Sequence, residues 1–160
     1  MEIERKFLIK EIPFSLSGFR AREIEQAYLC TNPVVRIRKS DSDYYLTYKG
    51  KGKIAREEYN LPLTEEAYGH LLTKADGNIL TKTRYEIPTE DNLIIELDIF
   101  SGKFQGLILA EVVFETLEQA NTYIPPKWFG RDVSITGEYQ NSKLSRMSEI
   151  PDFIKERTLL

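Results

Sequence analysis

A chain of 160 residues with 41% hydrophobic and 29% charged residues has the composition of one folded domain, large enough to bury roughly two-thirds of its unfolded surface. A stapled miniprotein and extensive disorder are excluded, and no apolar run approaches the ~20 residues of a membrane span, so neither nucleic acid nor membrane is expected as a partner of a chain whose 22 Lys+Arg and 25 Asp+Glu leave a net charge of −3. The single Cys30 and single His70 exclude an intrachain disulfide and a zinc cluster.

At the start, MEIERKF has no apolar secretory core, and a cytoplasmic protein is expected. Period-two alternation predicts strands at Glu2–Ile9, Glu25–Cys30, Val34–Lys39, Tyr44–Lys49 and Ile54–Leu61. A helix follows at Thr64–Lys74, with Glu65 and Glu66 in its first turn. Further strands are expected at Ile79–Ile87, Leu93–Phe100 and Leu109–Thr116. A short helix at Glu118–Tyr123 is stopped by Pro125-Pro126, and another at Asn141–Glu149 precedes Pro151. The turns between strands, such as Asn32-Pro33 and Asp41–Asp43, suit antiparallel hairpins. The expected fold is mainly β (α+β): an eight-stranded antiparallel closed β-barrel with a few flanking helices. One domain over 1–150 and a C-terminal tail over 151–160 are expected.

Alternation also sorts the charges. In the first strand Glu2, Glu4 and Lys6 share one face, opposite Ile3 and Phe7. The pattern recurs with Arg36 and Arg38, with Lys49, with Arg56 and Glu58, with Lys82, Arg84 and Glu86, with Glu96 and Asp98, and with Glu111 and Glu115. Two architectures satisfy it: a sheet with one solvated face, or a sheet closed so that the charged faces line a lumen. Like charges at i and i+2 stabilise a solvated sheet little, and so they support the closed form. A lumen holding both signs suits a polyanion with a hard divalent cation. Arginine forks take phosphoryl oxygens, lysine supplies a point charge, and carboxylates hold Mg²⁺ or Mn²⁺.

Glu2-Ile3-Glu4-Arg5-Lys6 followed by Arg36-Ile37-Arg38, Lys82-Thr83-Arg84, Glu96-Leu97-Asp98 and Glu111 resembles the CYTH superfamily, the triphosphate tunnel metalloenzymes, in its small bacterial form. The resemblance extends to Tyr139-Gln140-Asn141 and implies a tunnel in which a triphosphate is cleaved with a divalent metal. It implies that Glu2, Glu4, Glu96, Asp98 and Glu111 hold metal, with Glu58, Glu96 and Asp98 resembling acidic tunnel residues that hold metal or orient the basic ones. Arg36, Arg38, Lys49, Arg56, Lys82 and Arg84 would bind phosphate. Lys6, Arg56 and Lys82 would act in the chemistry, and the segment from Tyr139 to Ser148 would close one mouth. One position departs: the family's second glutamate after Glu111 is Val113 here. Either metal affinity falls, which is the expectation adopted, or Glu115 and water complete the shell.

The expected reaction is hydrolysis of tripolyphosphate to pyrophosphate and phosphate, because only Tyr45 stands out as an inward aromatic able to read a base. A nucleoside triphosphate is the alternative substrate class, through adenylyl cyclase activity. A non-catalytic polyphosphate-binding module is a rival from a different class. Removing Arg38 or Arg84 is expected to abolish activity and leave the fold. Homodimerisation is left open. His70 is read as exposed, Cys30 as a buried small hydrophobe, Gly50–Lys53 as a hairpin turn and Trp128 as a packing anchor.

Overall fold

The computed structural model describes residues 1–151, so the tail expected at 151–160 lies outside the described residues apart from Pro151. Nine antiparallel strands are formed among the described residues: β1 (Glu2–Leu8), β2 (Arg20–Thr31), β3 (Val34–Ser40), β4 (Asp43–Lys49), β5 (Ala55–Arg56), β6 (Glu58–Pro62), β7 (Asp76–Pro88), β8 (Ile94–Ser101) and β9 (Ile108–Phe114). Their order is β5-β1-β9-β8-β7-β2-β3-β4-β6.

The ninth strand comes from the segment expected as one strand at Ile54–Leu61. β5 and β6 lie at opposite ends of the order yet are separated only by Glu57, so one bent segment touches both edges and nearly closes the sheet. β6 pairs with β4 through Lys49↔Glu58, while β5 pairs with β1 through Glu2↔Arg56. A straight strand could reach only one of these neighbours. Beyond β5, residues 130–133 take over the edge of β1: the Gly130 amide donates to the Leu8 carbonyl (2.7 Å), Leu8 to Arg131 (2.9 Å) and Val133 to Lys6 (2.9 Å). The exposed ladder that a two-residue β5 would leave is thereby satisfied.

β2 begins at Arg20 rather than the expected Glu25. Its first residues carry no apolar alternation and are drawn into the sheet by pairing with β7, where Arg22 meets Glu86 at 2.8 Å. A register shift between Tyr28 and Cys30 re-aims the strand end. Cys30 is therefore exposed, correcting the expectation of a buried thiol.

Helix α1 (Glu65–Leu72) is capped by Thr64, whose hydroxyl accepts from the Ala67 amide, and packs Tyr68, Leu71 and Leu72 over the outer face of β2 to β4. α2 (Leu117–Thr122) has a complete capping box between Thr116 and Gln119 that the sequence reading passed over. α3 (Asn141–Leu144) is a single turn, shorter than expected: beyond it the Arg146 and Met147 amides donate to the Lys143 and Leu144 carbonyls in tighter turns, and Asn78 also donates to the carbonyls of Leu144 and Met147. Trp128 packs edge-on to Phe14 and Phe129 as an anchor, and His70 is exposed.

The inward faces change character along the barrel. Leu8, Leu80, Phe100 and Leu109 continue the faces of Lys6, Lys82, Asp98 and Glu111, and they join Tyr139 and Leu144 in an apolar cluster. This cluster fills one end of the barrel, and the lumen is a cup.

Arg5 points outward, away from its neighbours in the EIERK run. Its Nη1 donates to the carbonyls of Ala120 (2.9 Å) and Tyr123 (3.0 Å), and Nε and Nη2 donate to Asp132 (3.2 and 2.7 Å). One guanidinium thus ties α2 and the 130–133 segment to β1. Arg5→Ala should lower stability by about 2–3 kcal/mol in denaturant titration, the scale of a few hydrogen bonds to a charged group. Unchanged stability would mean that those segments hold themselves.

Candidate active site

The charged half of the lumen encloses a cavity of about 170 Å³ lined by Glu2, Glu4 and Lys6 of β1, Arg36 and Arg38 of β3, Lys49, Arg56, Glu58, Arg84, Glu96 and Glu111. Tyr28, Val34, Asn141 and Ser142 complete the lining. Period-two geometry explains the convergence: each strand contributes alternate residues, and ladder register sets them at matching heights, as with Lys6↔Glu111 and Glu96↔Glu111.

The ion pairs are unevenly distributed. On the β7 to β9 wall, Arg84 donates to both oxygens of Asp98 (2.7 and 2.8 Å) and to Glu96 (2.7 Å), and its Nη2 lies 3.4 Å from Glu111. Lys82 meets Asp98 at 2.7 Å, and both side chains are fully buried. Lys6 faces Glu111 at 3.4 Å, and Lys49 faces Glu2 at 2.7 Å and Glu58 at 3.6 Å. Against these, Arg36, Arg38 and Arg56 form no salt bridge among the described residues. Arg36 donates to neutral oxygens, to Thr47 at 3.1 Å and toward the Tyr28 hydroxyl, and leaves its buried Nε without a partner. Arg38 is held by Gln26 and Tyr45.

Two expected lining residues stand apart. Lys82 and Asp98 do not line the cavity; they form a buried pair beneath it, because Arg84 and Lys82 already occupy both Asp98 oxygens. Arg84 is likewise the counter-ion of three carboxylates, so its removal would strand buried negative charge, which predicts a loss of stability where the sequence led us to expect an intact fold. Val113 shares the lumen face and sits opposite Glu4, but at the rim, 40% exposed. Glu115 lies past the end of β9 and is exposed. Sequence reasoning missed Gln26 and Tyr28, which carry no charge to mark them, whereas Asn141 and Ser142 belong to the segment expected to close one mouth. Tyr28 is an inward aromatic besides Tyr45.

Burial first, then the charge of Glu4 and a hydrogen bond to Glu58, push Glu2 up to about 8. Burial likewise raises Glu96, helped by Glu111 and Asp98. Burial also acts upward on Glu111, but Lys6 and Arg84 outweigh it and hold the carboxyl well below its usual range. Arg36 is lowered by burial and by the like charge of Arg38. The carboxylate side therefore lacks positive charge and the arginine side lacks negative charge.

A hard divalent cation fits this donor set. The donors are oxygens only, and the carboxylate of Glu4, 8% exposed, makes no hydrogen bond or salt bridge among the described residues. Among those residues no three carboxylates converge as a finished cage, which suits an ion that keeps waters and takes further ligands from a phosphate.

A family model described as the CYTH domain matches residues 1–147. The chain belongs to the CYTH domain family. Its relatives include an inorganic triphosphatase of Nitrosomonas europaea, 34% identical over 147 residues that cover 90% of this chain and 96% of that protein. An inorganic triphosphatase of Acetivibrio thermocellus is 31% identical, covering 89% and 92%. The crystal structure of the inorganic triphosphatase NE1496 superposes with a TM-score of 0.70 at 32% identity, covering 93% and 97%. No helix of this CYTH domain is long and apolar enough to cross a membrane among the described residues.

The raised Glu2 makes a pH prediction. Without metal, the folded chain holds a proton there that the unfolded chain releases near 4.5, so this stabilisation is complete below that value and lost as pH rises through about 8. Thermal denaturation in chelator should show Tm falling across that window, and Glu2→Gln should flatten the decline. Identical slopes would show Glu2 ionised throughout.

Proposed function

We propose that this protein is a divalent-metal-dependent triphosphatase that hydrolyses inorganic tripolyphosphate to pyrophosphate and phosphate. The observation that carries the reading is the set of lumen arginines without counter-ions, Arg36, Arg38 and Arg56, facing carboxylates in a cavity of about 170 Å³. Uncompensated buried guanidinium groups are costly unless an anion arrives. The names of its relatives support the same reading.

In this reading the cation is Mg²⁺ or Mn²⁺, and Glu2, Glu4, Glu96 and Glu111 hold it, while Asp98 supports Arg84 from beneath. Bound there, the ion supplies Lewis-acid polarisation of phosphoryl oxygens and of water. Arg36, Arg38 and Arg56 would grip the phosphate chain, with Lys49 and Arg84 as further cations beside it. Lys6, next to the apolar floor, receives the terminal phosphoryl group and stabilises the charge that develops as water attacks its phosphorus and the bridging oxygen leaves with pyrophosphate. The fully buried Lys82 acts at one remove, by holding Asp98. The closed floor orients the substrate with its free phosphate end inward.

Phosphate release from tripolyphosphate should require Mg²⁺ or Mn²⁺ and vanish in excess chelator. Faster conversion of ATP to cyclic AMP would assign the lumen to a cyclase, and tight anion binding without turnover at any divalent metal would make it a binding module. Arg36→Ala should weaken tripolyphosphate binding by about 1.5–3 kcal/mol without lowering Tm, whereas Arg84→Ala should lower stability by about 3–5 kcal/mol. Equal effects of the two substitutions on Tm would refute the division of the lumen. Val113→Glu, adding a carboxylate beside Glu4, should lower the metal concentration for half-maximal activity. Unaltered metal dependence would place that rim position outside the metal shell.

A further inference from the structure

Gln26 is fully buried, and its partners explain why an amide sits inside a wall of charges. Its Oε1 accepts from both Nε (3.0 Å) and Nη2 (2.7 Å) of Arg38, its register partner on β3. Its Nε2 donates to the Tyr28 hydroxyl at 3.1 Å. We propose that Gln26 is a positioning residue that aims Arg38 and the Tyr28 hydroxyl into the lumen while leaving the charge of Arg38 uncancelled.

Arg84 provides the contrast within the same barrel. It is gripped through the same Nε and Nη2 edge, but by the carboxylate of Asp98, and Glu96 and Glu111 add to the cancellation. A carboxylate orients a guanidinium and neutralises it; a carboxamide orients it and does not. Arg38 thus keeps a full positive charge at 7% exposure, with its Nη1 reaching only as far as the Tyr45 hydroxyl at 3.4 Å.

The amide orientation is determined by its neighbours. Arg38 has donors only, so the Gln26 oxygen faces it and the nitrogen faces Tyr28. The Tyr28 oxygen is then an acceptor toward Gln26, and its proton is free to be donated into the cavity that Tyr28 lines. Both consequences favour an anion. The inference rests on the triphosphate reading and assigns to it a residue that touches no substrate.

Gln26→Glu and Gln26→Met separate orientation from charge. Tripolyphosphate affinity is measured by calorimetry in chelator, where no turnover occurs, and KM, kcat and Tm are measured with Mg²⁺. Gln26→Glu keeps Arg38 in place but cancels its charge and takes back the Tyr28 proton. Its Tm should hold or rise, while Kd and KM increase roughly tenfold or more, with a smaller change in kcat. Gln26→Met should weaken binding in the native background and cost less in an Arg38→Ala background, because the two residues act as a unit. Native-like affinity and KM in Gln26→Glu, or an equal cost of Gln26→Met in both backgrounds, would overturn the role. If the native protein neither binds nor hydrolyses tripolyphosphate, the triphosphatase reading falls, and this inference with it. Tight binding by native protein and Gln26→Glu alike removes the inference alone.

Discussion

A charge moved from water into a barrel lumen loses hydration worth several kcal/mol, so each inward cation needs a carboxylate, a neutral acceptor or an arriving anion. This barrel uses the first two and leaves room for the third. Lys6, Lys49, Lys82 and Arg84 are matched by carboxylates, Arg38 is held by a carboxamide, and Arg36 retains a buried donor with no partner. The matched cations stabilise the wall, and the unmatched ones leave a positive field for a polyanion.

The same constraint couples the two halves of the proposed substrate complex. Glu2 and Glu111, which now pair with Lys49 and Lys6, would be shared with a divalent ion in that complex, leaving the two lysines more charge to offer phosphate. A phosphate chain would, in turn, replace the negative charge that Lys6 and Lys49 lose when those carboxylates are shared. Metal and polyphosphate would each strengthen binding of the other by the same factor. The elevated Glu2 carboxyl belongs to this picture, since a site short of positive charge takes up a proton until a metal arrives.

Two structural devices make such a lumen buildable. The bend at Glu57 lets one segment serve as both edges of the sheet, so the charged wall is nearly continuous. At the other end, Leu8, Leu80, Phe100, Leu109 and Leu144 provide the apolar contacts that an all-charged interior lacks. Outside the barrel, α1 and the α2 region cover two further apolar clusters, so the strands carry a hydrophobic outer face opposite the charged inner one.

Much of this was legible in the sequence because alternation along a strand is a local property. Glu2, Glu4, Lys6, Arg36, Arg38, Arg84 and Glu111 announced one face each, and charge clustering by sign pointed inward. Local pattern could not specify which cation meets which carboxylate, since that depends on register between strands distant in the chain. Hence Lys82 and Asp98 read as lining residues although they are sealed beneath the cavity. Neutral groups such as Gln26 and Tyr28 left no charge signal, the split at Glu57 left no turn signal, and the exposure of Cys30 followed from a bulge. The sequence alone determined the strands, their charged faces and the chemistry those faces suit. Only the tertiary structure decided which arginines stay unpaired, because ion pairing in a closed lumen is settled by three-dimensional proximity.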